Sequence, residues 1–256
     1  MNALRVERDR EGAHLRLILD RPKGNIVTAG MIGELREALA TVRAGTGLKL
    51  ITLEAAGPHF SYGASVEEHV ADRIAEVLPE LNAAVLDLLR APAPTLAVVR
   101  GRCLGGGFEL VLACDMVFAA DDALFGVPEI GLGVFPPAAA ALLPLRVGTS
   151  RAARAVVGGE ALPAHWWAAA GLVDRIVASS ALDGEVDDWF ATQLAPRSAA
   201  ALAHAAEATR AGTIRVVPAL LEDLERQYLD RLMRTHDASE GIAAFMERRA
   251  PHWRNA

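Results

Sequence analysis

Cysteine and lysine are scarce in this 256-residue chain: Cys103, Cys114, Lys23 and Lys49 are the only examples, and aromatic residues make up 5%. Two cysteines without histidines at ligand spacing do not make a zinc site, and their apolar surroundings mark them as reduced core residues. The net charge of −6 argues against a nucleic-acid surface and against anionic membranes. No run of about 18 or more apolar residues escapes polar interruption, so no transmembrane helix is expected. The N-terminal MNALRVERDREG is charged and has no apolar core of a secretory signal, which leads to the expectation of a cytoplasmic protein. A G-x-S-x-G elbow, a Walker pattern, G-x-G-x-x-G and metal-ligand spacing are all missing. These absences leave serine hydrolysis, nucleotide binding and metal chemistry without support.

The chain is 52% apolar and 23% charged, an ordinary globular balance rich in alanine, and long enough for one large domain or two small ones. Residues 4–8 and 14–20 read as a hairpin, 48–53, 95–99, 116–119, 124–125 and 173–177 as strands. Helical spacing covers 29–44, 66–89 with a break near Pro79, 138–145, 151–157 and 163–170. From Asp183 onward the pattern is all helix, with an apolar stripe of Val217, Leu220, Leu221, Leu224, Tyr228 and Leu232. Strands alternating with helices imply an α/β class. The change of composition near residue 179 divides the chain into a 1–178 body and a 179–256 helical region. Segments 48–90 and 95–114 have the look of structural repeats.

The most informative stretch is Gly105-Gly106-Gly107-Phe108-Glu109, with Pro128-Glu129 following twenty residues after Glu109. Glycines without a Cβ let a ligand approach the backbone N–H groups. The FELVLAC run from Phe108 reads as a helix start, so the glycines lie where free N–H groups and the helix dipole favour negative charge. A glutamate in the first turn of that helix suggests acid–base chemistry beside an oxyanion site. The bland alternative is a glycine turn with a glutamate complementing the dipole. His59-Phe60-Ser61-Tyr62-Gly63-Ala64-Ser65 offers a second set of backbone donors before a helix. His59 and His69 flank that set and read as loop or surface residues, Trp166 and Trp167 as packing residues.

These segments, together with Phe125-Gly126-Val127-Pro128-Glu129-Ile130-Gly131, Cys114-Asp115, Gly171-Leu172-Val173-Asp174 and the Glu240–Phe245 tail, resemble the enoyl-CoA hydratase/isomerase (crotonase) superfamily over nearly the whole chain. The resemblance implies a spiral of ββα units and a C-terminal helical part that packs against neighbouring subunits, giving a homotrimer or a dimer of trimers. It implies an acyl-CoA thioester substrate, with coenzyme A part of the substrate and no separate cofactor or metal. The thioester oxygen would sit between the N–H groups of Ala64 and Gly106, where enolate charge develops. Glu109 and Glu129 match the carboxylate pair of members that add water, a reaction that needs both a base and an acid. Lys23, Ser61, Tyr62, Gly63, Gly105 and Phe135 are the expected substrate contacts.

A narrower resemblance, in Gly57–His69 and Arg100–Gly107, is to the cyclohexa-1,5-diene-1-carbonyl-CoA hydratases of anaerobic benzoyl-CoA degradation. The chain departs from the common hydratase pattern in three places. Ser65 stands where Asp is usual, Glu67 where a CoA-binding Lys is often found, and Phe135-Pro136-Pro137 where glycines are expected. Bulk and rigidity there would reshape an acyl pocket. Besides a hydratase, an isomerase using one carboxylate and a non-catalytic acyl-CoA- or RNA-binding member of the fold remain as readings.

Overall fold

A computed structural model describes residues 3–43 and 45–256, the side chains of 71 and 72 excepted. The chain opens with an antiparallel hairpin, β1 (Leu4–Asp9) and β2 (His14–Leu19). After α1 (Ala29–Ala40) and β3 (Leu50–Ala55) comes the long α2 (Ala71–Leu89). Two strand–strand–helix units follow: β4 (Thr95–Val99), β5 (Arg102–Leu104) and α3 (Gly105–Leu112), then β6 (Met116–Ala120), β7 (Leu124–Gly126) and α4 (Pro137–Val147). In each unit the first strand joins a six-stranded sheet and the second a three-stranded sheet. The 48–90 segment is an earlier turn of the same spiral. Its β3 lies in the large sheet, and Ser61 bridges Cys103 of β5 where a full second strand would run.

The remaining elements are α5 (Thr149–Gly158), β8 (Leu162–Pro163), α6 (Ala164–Ala169), β9 (Arg175–Val177), α7 (Leu182–Trp189), α8 (Ala199–Arg226) and α9 (His236–Met246). The large sheet runs β1-β2-β3-β4-β6-β9, parallel from β2 onward, and the small one β5-β7-β8. Strand β4 shows why the centre reads as an unbroken apolar run: every residue is buried. Ala97 and Val99 face the main core, Leu96 and Val98 the layer formed with Phe118, Leu182, Val186 and Phe190.

Several element boundaries differ from the sequence expectation. Helix α1 stops at Ala40, and the expected end at Ala44 lies outside the described residues. Pro79 does not break α2; the irregular stretch falls earlier, between a 3₁₀ turn at Val66–Glu68 and Ala71. A proline costs the helix the bond to the carbonyl four residues back, here that of Ala75, an exposed residue. Strand β5 was absent from the pattern because three residues show no periodicity.

The apolar stripe of the C-terminal region finds its partner inside the same chain. Val217, Leu221 and Tyr228 are buried, Leu224 packs on the main core, and Leu232 joins a third cluster with Ile74, Leu78, Val134 and Ile242. Only Leu220 of the stripe is exposed. The stripe therefore does not by itself call for a second subunit. Helix α8 is also tied by charge. Arg210 is buried and donates to the Asp115 carboxylate and to the carbonyl of Ala93 (2.9 Å). Asp115 in turn accepts from the Thr95 N–H (2.8 Å) and hydroxyl (3.1 Å). Arg210→Ala leaves the half-buried Asp115 carboxylate without its cation and with only the Thr95 donors, and breaking a buried pair costs up to ~3–5 kcal/mol. Urea unfolding should show a loss of that size, and a loss under ~1 kcal/mol would mean the pair does not anchor α8.

Candidate active site

The segment 61–65 is fastened on both sides. Ser61 N–H donates to the Arg102 carbonyl and Leu104 N–H to the Ser61 carbonyl, both at 2.9 Å, which ties it to β5. On the other side Val27 N–H donates to the Gly63 carbonyl and Ser65 N–H to the Val27 carbonyl, again at 2.9 Å. These bonds bracket Ala64, whose own N–H points away from Val27 as residues alternate along an extended strand. No backbone acceptor faces the Ala64 N–H among the described residues.

Strand β5 runs directly into α3, so the segment's anchor also fixes the helix start. Helix α3 takes in the glycines themselves, Gly105–Leu112, which places Glu109 in its second turn rather than its first. The first four N–H groups of a helix have no partner within it, and Gly106 is among them. A Cβ built on Gly106 would lie 3.1 Å from the Ala64 Cβ and 3.4 Å from the Ala64 nitrogen. The two expected oxyanion donors are therefore neighbours, on rigid backbone, at the positive end of a helix. At its other end α3 is held by Arg146 of α4, which donates to the carbonyls of Leu112 (3.1 Å) and Cys114 (2.5 Å).

Gly105 has φ of +48°, a conformation that favours glycine, and a Cβ there would sit 2.5 Å from Glu129 Oε1. The Glu129 carboxylate thus lies against the start of α3. Glu129 belongs to the 3₁₀ turn Pro128–Leu132 that follows β7, and its Oε2 is buried without a hydrogen-bond partner. Gly241 of α9 packs against this turn so closely that a Cβ would meet the Leu132 carbonyl oxygen at 2.2 Å. Glu109 is 3% exposed and its Oε1 accepts from the Ala139 N–H at 3.0 Å, near the start of α4.

Burial pushes the Glu109 carboxyl up to about 7, against the pull of the Ala139 and Ala138 N–H groups. Burial, and then the charge of Glu109, push Glu129 up to about 8. The two titrate as a pair, with backbone N–H groups opposing the upward shift of each, those of Ala139 and Ala138 at Glu109 and its own at Glu129. Near neutral pH the pair is therefore only partly ionised, so that a proton acceptor and a proton donor can be present together.

The other expected contacts divide into two groups. Gly63 and Gly105 lie together, with the Gly105 Cα 3.6 Å from a Cβ built on Gly63. Phe135 is half-buried and meets the Tyr228 ring edge-on at 5.5 Å between centroids. Ser61 is fully buried, and its hydroxyl donates to the Asn25 carbonyl (2.7 Å) and accepts from the Gly63 N–H (3.0 Å). Both bonds hold the loop's own backbone. Tyr62 is 42% exposed, lies over Gly24 and meets His59 edge-on. Lys23 is exposed in the same loop, with left-handed φ and no ion-pair partner among the described residues. His59 and His69 brace the segment: His59 Nδ1 accepts from the Arg102 N–H (3.2 Å) and His69 Nδ1 donates to the Ser65 carbonyl (2.8 Å).

Sequence reasoning missed Tyr228, which it placed in an apolar stripe. The Glu129 and Glu109 charges both bear on its buried hydroxyl. The available signal was a hydroxyl-bearing residue among leucines and valines. A cavity of about 560 Å³ opens elsewhere, at the far end of α3, ringed by Leu112, Arg146, Thr209 and Arg210. Its carboxylates Asp115 and Asp174 are engaged by Arg210 and by the Val117 N–H.

Two backbone donors beside a carboxylate pair, on a spiral of ββα units, form an arrangement suited to stabilising a developing oxyanion while protons move. The sequence model of the enoyl-CoA hydratase/isomerase family matches residues 10–256, and the chain belongs to that family. It is 42% identical over 252 residues to a cyclohexa-1,5-dienecarbonyl-CoA hydratase of Thauera aromatica, covering 98% of this chain and 97% of that one. It is 33% identical to a 2,3-dehydroadipyl-CoA hydratase of Escherichia coli, with 94% of each chain covered. Among solved structures, an enoyl-CoA hydratase from Mycobacterium avium subsp. paratuberculosis superposes with a TM-score of 0.86 at 29% identity over 98% of both chains.

The raised carboxyls make a signed prediction. Between the ordinary value of 4.5 and about 8 the folded chain holds more protons than the unfolded chain, so this pair makes stability fall as pH rises through that window. Glu129→Gln should melt above the wild type near about pH 9, and the gap should close toward about pH 4. A pH-independent gap in thermal unfolding would show that Glu129 is not buried as a coupled acid.

Proposed function

We propose that this chain adds water to cyclohexa-1,5-diene-1-carbonyl-CoA, giving 6-hydroxycyclohex-1-ene-1-carbonyl-CoA, the reaction of anaerobic aromatic degradation. The Glu109–Glu129 pair beside the Ala64 and Gly106 donors carries the hydration reading. The likeness to the Thauera hydratase, with the Phe135-Pro136-Pro137 turn, supports the cyclic substrate.

The hydrogen bond from Ala139 to Glu109 supports Glu109 as the base and Glu129 as the acid. Ionised Glu109 takes a proton from water as its oxygen bonds to the ring carbon next to the acyl-bearing one. The electron pair of that double bond moves through the conjugated system onto the thioester oxygen, where the N–H groups of Ala64 and Gly106 meet it. One such donor is worth ~2.7–4 kcal/mol in acyl chemistry. Protonated Glu129 then gives its proton to the far carbon of the diene, the charge returns from the oxygen, and the remaining double bond settles in conjugation with the thioester. Water supplies both the hydroxyl and, through the carboxylates, the added hydrogen. No separate cofactor enters this scheme; coenzyme A is the handle of the substrate. Lys23 and Tyr62, exposed on adjoining loops, suit contacts to that handle, while Phe135 suits the acyl ring.

The order of roles is tested by mutation. Glu109→Gln and Glu129→Gln should each lower kcat by ~10²–10⁴, and the double variant by much less than the product, because both act on one water. Fully multiplicative losses would show two independent groups. The substrate is tested with crotonyl-CoA, cyclohex-1-ene-1-carbonyl-CoA and the cyclic diene. The diene should lead crotonyl-CoA in kcat/KM by at least about tenfold, only ~1.4 kcal/mol of discrimination. Equal or better turnover of crotonyl-CoA would leave a general enoyl-CoA hydratase.

We further infer a 1–178 catalytic spiral and a 179–256 helical region used for assembly into a homotrimer or dimer of trimers in the cytoplasm. Since the α8 stripe is largely consumed within the chain, support comes instead from apolar side chains left outside, Val216, Leu220, Phe245 and Met246 among them. Light scattering at micromolar concentration should give a trimer's mass or twice that; a monomer's mass would overturn the assembly.

A further inference from the structure

Tyr228 is the largest buried side chain near the carboxylates that the reaction above does not use. It is 1% exposed, and its hydroxyl is buried without a hydrogen-bond partner among the described residues. Leaving a buried hydroxyl unpaired is destabilising, and such a group calls for a partner that a ligand can supply. A phenylalanine would pack among the same neighbours, Ile74, Leu78, Val134 and Ile242, without that cost.

Its place in the fold points the same way. Tyr228 sits in a π-helical turn, Gln227–Arg231, that continues α8. Such turns widen a helix by one residue and recur at functional sites because they re-aim a side chain. The ring is held edge-on to Phe135, and Phe135 follows Val134, whose N–H closes the Glu129 turn onto the Glu129 carbonyl at 3.3 Å. Glu129 Oε2 is likewise buried and, among the described residues, unpartnered. The two do not bond to each other, so each retains capacity for a polar partner. Burial and the charges of Glu129 and Glu109 push the phenol up, which keeps it neutral and a donor.

We infer that the Tyr228 hydroxyl is a third polar group of the site, donating a hydrogen bond to the oxygen atom that is added to the acyl chain as water and carried by the product as its hydroxyl. This rests on the hydratase reading and deepens it. The carboxylates move protons, whereas Tyr228 holds the oxygen on one side of the acyl group through its own O–H and transfers nothing. The site then prefers hydroxyacyl thioesters over their deoxy counterparts, because only the former satisfy the phenol.

Tyr228→Phe removes one oxygen atom and keeps the ring. Its kcat/KM for hydration should fall about ten- to a hundredfold, the effect of losing one buried hydrogen bond to the reacting group. Its melting temperature should equal or exceed that of the wild type, since an unpaired hydroxyl is gone. Affinities are compared in a Glu109→Gln background, where turnover is slowed, using 6-hydroxycyclohex-1-ene-1-carbonyl-CoA and cyclohex-1-ene-1-carbonyl-CoA. Tyr228→Phe should weaken the hydroxylated ligand about tenfold and leave the other within about twofold. Wild-type kinetics, with the ratio of the two affinities unchanged, would overturn the inference. So would a fall in melting temperature with both ligands weakened alike, which is the mark of a packing role. A wild type that hydrates none of the thioesters sinks the proposed function, and the affinity ratio still decides whether Tyr228 reads the hydroxyl.

Discussion

Two carboxylates in one buried space cannot both be charged at small cost, and much of this structure serves to put Glu109 and Glu129 there. Desolvation raises both, and their mutual repulsion separates them further. The two environments also differ: the Ala139 N–H bonds to Glu109, whereas among the described residues no donor reaches Glu129 Oε2. Unequal surroundings are how one residue type can supply both an acid and a base.

Holding that arrangement requires elements far apart in sequence. Glu109 depends on α3, and α3 on β5, which is laced to the 61–65 segment by backbone bonds. Glu129 depends on a 3₁₀ turn pressed from outside by α9, with Gly241 as the point of contact. Arg146 and Arg210 secure the opposite end of α3 and the helix that covers it. The N–H pair and the carboxylate pair meet at Gly105, whose missing Cβ lets Glu129 close onto the helix start. The C-terminal helices are therefore part of the site's scaffold and not simply an appendage for assembly.

Sequence by itself carried the class and most of the chemistry. The glycine run, the spacing from Glu109 to Glu129, the alternation of strand and helix patterns, and the all-helical end were legible because each is local: a turn, a period or a fixed order along the chain. Buried parallel strands such as β4 were equally plain, since burial on both faces leaves an unbroken apolar run.

Tertiary structure decided what depends on neighbours distant in sequence. Ser61 was expected at the substrate, but packing turns it inward to Asn25 and Gly63. The α8 stripe looked like a face awaiting another subunit, yet the chain's own core covers most of it, because amphipathic periodicity records that a face is buried and not by what. The helix start moved to include the glycines, which have no hydrophobic period to reveal them. Tyr228 lies about a hundred residues from Glu129 in sequence. Only the folded chain, with Phe135 against its ring and its hydroxyl left without a partner, separates it from the leucines around it. Burial and pairing are properties of a three-dimensional environment, and a residue's letter does not contain them.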